Sequence, residues 1–442
     1  MRILRVAIGF ILCVAFFPAV IYATPEIHAE AYILIEKHSG RILAEHEAHR
    51  RMFPAATSMI LTAILAYEHI GADEIIVVGN EITALPDGSA RTGHEIGEEL
   101  GLEDLIRSML VGRGLDAANT VALTVARRVS GDEDMAFAQA QSFFANLMNE
   151  RARALGAENS RFMNPHGYHH GNHFSTAYDL AQISRHAMNV ATIAEIAAEG
   201  RFRQFANANE LIGQYAYATG IRTGFTNRAG ESLAAAASRG GVDLIAITLN
   251  SPIIDDAPTR WQDAISLFEY GFENYATRAL LAPDTILGQM YVENPRLGDI
   301  GYLEFYNAIG REYFLSLREL ARIQTYIEFL PQFVAYYGEE SELHFVAPIE
   351  EGEKIGTISH ILDGETLYIT NLYAARHVPI RDTSSDIDYH MERIRQIFFS
   401  RASVPYWIAA LSVLALLFIA AILIRNRIRQ RKAKQGKYKM KL

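Results

Sequence analysis

One cysteine, Cys13, occurs in 442 residues. It lies in an apolar run, Ile8–Val20, with Arg2 and Arg5 before it and the small residue Ala23 after it. This is the pattern of a secretory signal over residues 1–23. Cleavage there leaves a chain with no thiol, which excludes disulfides, thiolate nucleophiles and cysteine-bound metal. Lysine is nearly as scarce, because Lys37 is the single lysine between Thr24 and Glu353. Lys37 reads as an exposed strand charge, and arginine cannot deprotonate to serve as a base. Most of the chain therefore lacks an amine for general-base or Schiff-base chemistry. Internal repeats and low-complexity linkers are missing too, so solenoids and tethered arrays are set aside.

What is present is concentrated at the ends. Val404–Ile424 is an uncharged apolar run of 21 residues with Tyr406 and Trp407 at one end, long enough to cross a bilayer. The tail, residues 425–442, carries nine Lys or Arg and no acid. A basic tail after a span is expected to stay in the cytoplasm, with the bulk of the protein extracytoplasmic in a cell membrane. Of the net charge of −10, the leader holds two positive charges and the tail nine, which leaves the remainder at −21. Such a surface repels nucleic acid and other polyanions, so the tail is read as a topology anchor that attracts anionic lipid.

Between the ends, Ala31–Glu36 and Arg41–Glu45 read as a hairpin turning at Gly40. An all-round apolar helix follows over about 56–70, with Pro54 before it and Thr57 and Ser58 as caps. Helices are expected over Leu102–Gly112, Leu115–Val129, Asp134–Leu155 and 175–188, the last capped by Ser175, and over 259–277. Glu231–Arg239 and Gly241–Asn250 read as adjacent strands. Strands at both ends with helices between suggest an α+β domain over 24–280 whose sheet is built from its termini. Short alternating runs from 281 to 384 suggest a small all-β domain, with the aromatic stretch Tyr302–Tyr337 in its core. Residues 385–403 read as a juxtamembrane amphipathic helix striped by Ile387, Met391, Ile394 and Phe398. It leads to the transmembrane helix over 404–424.

Five phrases occur in order from the first hairpin to the last strands of the α+β region: AYILIEKHSGRIL, FPAATSMILTA, MLVGRGLDAANTVA, NPHGYHHGNHFSTAYDLA and IRTGFTNRAGESLAAAA, with APIEEGEKIGTI beyond them. Together they resemble the serine-type D-alanyl-D-alanine carboxypeptidases, the low-molecular-mass penicillin-binding proteins. The resemblance implies a β-lactamase/transpeptidase-like domain followed by a small β domain, a role in peptidoglycan metabolism, and no cofactor. It also implies three motifs: S-x-x-K for nucleophile and base, S-x-N for proton relay and substrate-orienting amide, and K-T-G for the substrate carboxylate.

This chain departs from those motifs. Ala56 and Met59 stand at the nucleophile and base positions, and Arg113 and Leu115 at the serine and asparagine of the second motif. Arg222, Thr223 and Gly224 keep the third motif with arginine for lysine, and the oxyanion donors map to the N–H groups of Ala56 and Phe225. Arginine preserves a carboxylate-binding charge. The expectation is a membrane-anchored homologue without hydrolysis that binds a stem peptide of peptidoglycan or a cell-wall enzyme. The other readings are a working carboxypeptidase with displaced residues, Thr57 or Ser58 attacking, and a structural module of a membrane complex. His166, His169, His170 and His173 crowd one Gly-rich loop without a carboxylate at ligand spacing, so no metal is expected. Asp116 and Asn119 are read as capping and packing residues.

Overall fold

The computed structural model describes residues 25–337, 342–399 and 404–438, so the expected leader lies outside the described residues. These residues fall into two compact units. One runs to Arg278 and includes Tyr313–Leu320; the other holds Ala279–Glu312 and the chain from Ala321 onward.

The first unit is built on a five-stranded sheet. Its strands are β1 (Ala31–Glu36), β2 (Ile42–His46), β3 (Ala218–Thr226), β4 (Gly230–Arg239) and β5 (Val242–Ser251), in the order β2-β1-β5-β4-β3. β1 pairs antiparallel with β5, Ile33 opposite Ile247, so the sheet closes between residues far apart in the chain, as its end-loaded strands suggest. Gly240 and Gly241, at φ +60° and +81°, join β4 to β5. Two left-handed residues in succession give the turn whose twist matches paired strands.

The strands are apolar on both sides because both sides are covered. Alternation sends Ile33, Ile35, Ala234, Ala236, Ile245 and Ile247 to one core, and Leu34, Leu233, Ala235, Ala237, Leu244 and Ala246 to the other. The first core contains α1 (Met59–His69), α2 (Leu102–Leu110), α3 (Leu115–Ser130), α4 (Phe137–Ala154) and α5 (Ala177–Ala187). The second holds Ala264, Leu267 and Phe268 of α6 (Arg260–Asn274). Met59 to Ala66 of α1 are buried without interruption, which accounts for a helix with no polar face.

Local chemistry differs from expectation at three places. A 3-10 turn, Ala55–Ser58, precedes α1. There Thr57 and Ser58 do not cap N–H groups; their hydroxyls donate back to the carbonyls of Pro54 and Ala55 at 2.7 and 2.9 Å. Thr176, not Ser175, caps α5, accepting from the Asp179 N–H at 3.0 Å. Asp116 caps no helix. Its buried carboxylate accepts from the N–H groups of Thr92, Gly93 and His94 and from the Thr92 hydroxyl, at 3.0–3.4 Å. It thereby clamps the 92–94 loop beside the N-terminus of α3, while Asn119 donates to the Glu81 carbonyl at 3.1 Å.

The second unit is a seven-stranded sheet, with strands 324–329, 354–362, 365–374, 302–307, 285–293, 342–346 and 334–337 in spatial order. Phe305, Phe329 and Phe345 meet edge to face at 5.0–6.1 Å in its core, a favoured aromatic geometry. The aromatic stretch is thus only partly core, because Tyr302 and Tyr306 alternate with the buried Leu303 and Phe305 and face outward. Thr383–Phe399 is helical. Val404–Arg429, within the helix Val404–Tyr438, is the one helix among the described residues long and apolar enough to cross a membrane.

Replacing Asp116 by Ala strands three backbone donors, those of Thr92 and His94 on buried residues. The expected cost is at least ~2 kcal/mol, read as a lowered midpoint in denaturant unfolding. An unchanged midpoint would show that the clamp is dispensable.

Candidate functional site

The site is set by a close backbone approach. β3 is an edge strand, and at Gly224 it lies against the turn that starts α1. A Cβ on Gly224 would sit 2.9 Å from both the Ala56 nitrogen and the Pro54 oxygen. From the other side, Gly167 at φ +75° comes so near that a Cβ would fall 1.8 Å from the Ala55 oxygen. Glycine is required at both positions by space, and at Gly167 by conformation too. Ala55 itself has φ +50°, in the left-handed region that alanine rarely adopts.

This approach brings together Ala56, Met59, Arg222, Thr223 and Gly224. The Arg222 guanidinium is buried, 1 % exposed, and its Nη2 points at the Met59 sulfur at 3.6 Å. Its Nε and Nη1 have no hydrogen-bond partner among the described residues. Burial pushes the group down to about 9, with Arg113 and Arg260 adding like-charge repulsion. The side chain is still a cation at neutral pH. Thr223 is buried and its hydroxyl lies 3.4 Å from the Ala208 carbonyl. Leu115 packs into the first core from the start of α3, away from polar chemistry. Arg113 is exposed at φ +64°, and Phe225 is exposed at 55 %.

Arg260 is a site neighbour that sequence reading missed. It is buried, paired with Glu231, and pushed down to about 10 by burial and by Arg113. Nothing local marks it, because Glu231 lies 29 residues away on β4. Arg113 and Arg260 lie within electrostatic reach of Arg222, although Glu231 offsets the charge of Arg260.

A second missed contact bears on a displaced nucleophile. The Ser58 hydroxyl lies 2.8 Å from His173 Nε2, both side chains being buried. The pair resembles a serine–histidine dyad, yet its protons run the wrong way. Burial drives His173 down to about 3, helped by His166, His170 and His169, so the ring is neutral. Its Nδ1 accepts the Met163 N–H at 3.2 Å, which puts the ring proton on Nε2, where it is donated to Ser58. The Ser58 hydroxyl donates in turn to the Ala55 carbonyl at 2.9 Å. A ring that donates to the hydroxyl cannot take its proton. The other histidines of the loop are similarly occupied: His166 Nδ1 accepts from the Tyr168 N–H and His170 Nδ1 from the Asn172 N–H, each at 3.1 Å. His169 packs its ring against Phe53.

Comparison with known proteins agrees with this architecture. The profile of the family described as D-alanyl-D-alanine carboxypeptidase matches residues 19–252. D-alanyl-D-alanine carboxypeptidase DacA of Escherichia coli (strain K12) is 26% identical over 398 residues, covering 85% of this chain and 92% of the relative. DacF of Bacillus subtilis (strain 168) is 24% identical over 349 residues, covering 77% and 83%. Among solved structures, penicillin binding protein 6B from Escherichia coli aligns with a TM-score of 0.57 at 22% identity, covering 79% of this chain and 96% of that one. Penicillin binding protein 5 from Haemophilus influenzae aligns with a TM-score of 0.55 at 23% identity, covering 81% and 99%. At these identities the structural likeness establishes the fold.

Two outcomes follow from the buried groups. Arg222→Met replaces an unpaired buried cation by an apolar side chain of similar length, so it is expected to stabilise the protein by about 1–3 kcal/mol. A lowered melting temperature would mean that the guanidinium is paired. His166 and His173 have folded values of about 4 and 3, below the ordinary 6.5. Their contribution to stability is therefore complete above about pH 6.5 and is lost as pH falls through 6.5 toward 4 and 3. His173→Gln should flatten that acid limb by up to about 1.4 kcal/mol per pH unit, measured by urea unfolding at stepped pH. An unaltered limb would contradict a neutral buried ring.

Proposed function

Because the chain belongs to the D-alanyl-D-alanine carboxypeptidase family, we propose that it is a catalytically silent member, tethered to the membrane by Val404–Arg429, that binds peptidoglycan stem peptide without cleaving it. The observation that carries this reading is the pairing of Arg222 with Met59. Where the resemblance calls for a lysine base there is a thioether, and a buried guanidinium points at it. A thioether takes up no proton near neutral pH, so the position that the resemblance gives to the base cannot serve as one.

Ala56 offers no nucleophile, and the hydroxyl two residues on is wired as a donor to a carbonyl. Loss of one member of such a catalytic unit costs roughly as much as loss of all of it, about 10⁴–10⁶ in rate. Binding is a separate matter. Arg222 keeps two nitrogens without partners, a stability cost that a site can retain when a ligand supplies the missing acceptor. A terminal carboxylate is such an acceptor, and arginine can take it with two parallel hydrogen bonds. β3 as an edge strand offers backbone groups to an extended peptide beside it. The apolar helix and basic tail support an orientation with both globular units outside the cell and the tail inside.

The test is a pair of assays on the full-length protein. Fluorescent penicillin is expected to leave no adduct that survives denaturation, and a stem peptide ending in D-Ala-D-Ala is expected to bind at least ~10-fold more weakly after Arg222→Ala. A denaturation-resistant adduct would demonstrate a nucleophile and overturn the silent reading. Equal peptide affinity in the variant would remove Arg222 from recognition.

A further inference from the structure

The second unit contains a groove of about 950 Å³, within the size range of small-molecule sites. Its walls are the 296–299 loop and one face of the helix Thr383–Phe399. The Arg296 N–H donates to the Pro379 carbonyl at 3.0 Å. Gly298, at φ +91°, lies so near Tyr389 that a Cβ would fall 2.7 Å from its ring. Glycine is required there by space and by conformation. Loop and helix are thus tied to each other, and the space they leave is part of the fold.

The lining is partly charged and partly apolar. Arg296 stands 3.9 Å from Asp388, and Arg395 stands 3.8 Å from Glu392. All four side chains are 45 % or more exposed. Loose, exposed ion pairs contribute little to stability, so these charges are open to a ligand. Asp299 is not, because Nη1 and Nη2 of Arg376 each donate to it at 2.7 Å. The available charge therefore sums to zero, two cations and two anions. A simple anion would meet two carboxylates and a simple cation two guanidinium groups, whereas a zwitterion matches both halves. Tyr389 is the one aromatic residue among the described lining residues, too few for a cage around a quaternary ammonium. A primary ammonium fits instead, since it can donate to carboxylates. Leu297, Met391 and Ile394 supply the apolar wall.

The groove also lies where amphiphiles are concentrated. The Trp407 indole donates to the Phe398 carbonyl, and the two rings stand 5.7 Å apart. Trp407 belongs to the first turn of the long apolar helix, and tryptophan favours the membrane–water interface. Asp388 to Ile394 lie only ~6–15 Å along their helix from Phe398. Met391 and Ile394 continue toward Phe398 as an exposed apolar stripe.

We propose that this groove binds one zwitterionic phospholipid with a primary-ammonium headgroup. Arg296 and Arg395 take its phosphate, Asp388 and Glu392 take its ammonium, and its acyl chains follow Met391, Ile394 and Phe398 toward the span. The proposal rests on the membrane-tethered reading above and is independent of peptide binding at Arg222.

The experiment is native mass spectrometry of the full-length protein, released from detergent after incubation with phosphatidylethanolamine, phosphatidylcholine and phosphatidylglycerol of identical chains at equal concentration. One phosphatidylethanolamine is expected to be retained, at least ~5-fold over either competitor. Arg296→Ala/Arg395→Ala should lower that retention at least ~5-fold. Asp388→Asn/Glu392→Gln leaves two cations and should shift the preference to the anionic phosphatidylglycerol. The four positions are exposed, so both variants should fold, which circular dichroism checks. Retention without headgroup preference, or a preference that neither variant moves, would overturn the proposal. Flotation with phosphatidylethanolamine vesicles tests the tether separately. Protein that floats but shows no headgroup preference refutes the groove alone, and protein that does not float refutes the tether and the groove together.

Discussion

Two glycines hold the larger unit's site in shape. Gly224 on the edge strand and Gly167 on the histidine-rich loop close on the 54–56 turn from two sides, at distances no side chain permits. That clamp fixes where α1 begins, and so which of its residues face β3. It also places Ala55 in a left-handed conformation that the surrounding contacts must sustain. Everything distinctive about the site follows from it: Ala56 against Gly224, Met59 against Arg222, and Ser58 turned back to a carbonyl and a histidine.

Within this frame the substitutions form a consistent set. A site with a nucleophilic serine and a lysine needs a network that shuttles protons. In the proposed reading an alanine, a thioether and a leucine stand where the resemblance calls for proton-handling groups, while the buried Arg222, at about 9, keeps its charge near neutral pH. On that reading the arrangement is unsuited to general-base chemistry, and the proposed role is to hold an anion. The residual histidine–serine contact fits the same pattern, because the backbone N–H of Met163 fixes the tautomer that donates.

The second unit shows how one strand can serve two purposes. Alternation along 302–307 sends Leu303, Phe305 and Asn307 inward and leaves Tyr302, Glu304 and Tyr306 outward. The inward set builds a phenylalanine core, and the outward tyrosines pair with Tyr291 and Tyr373 across the neighbouring strands.

Much of this was legible in the sequence by itself. Period-2 and all-round apolar patterns are local, so the strands, the buried helix and the apolar segment near the C-terminus could be read directly, and the ordered phrases pointed to the family. The assignment of Ala56, Met59, Arg113 and Leu115 to the motif positions rests on the resemblance of the phrases. What tertiary structure alone decided were relations between distant residues. The sequence allowed Ser58 to stand as a displaced nucleophile until His173, 115 residues on, was found facing it. It gave Asp116 the look of a helix cap, whereas the carboxylate reaches back 22–24 residues to a loop. It showed an aromatic stretch but not its two faces, because strand register determines which tyrosines meet across the sheet. It showed Arg222 as a charge but not that the charge is buried with two nitrogens unpartnered, because burial belongs to the packed molecule and not to any segment of it.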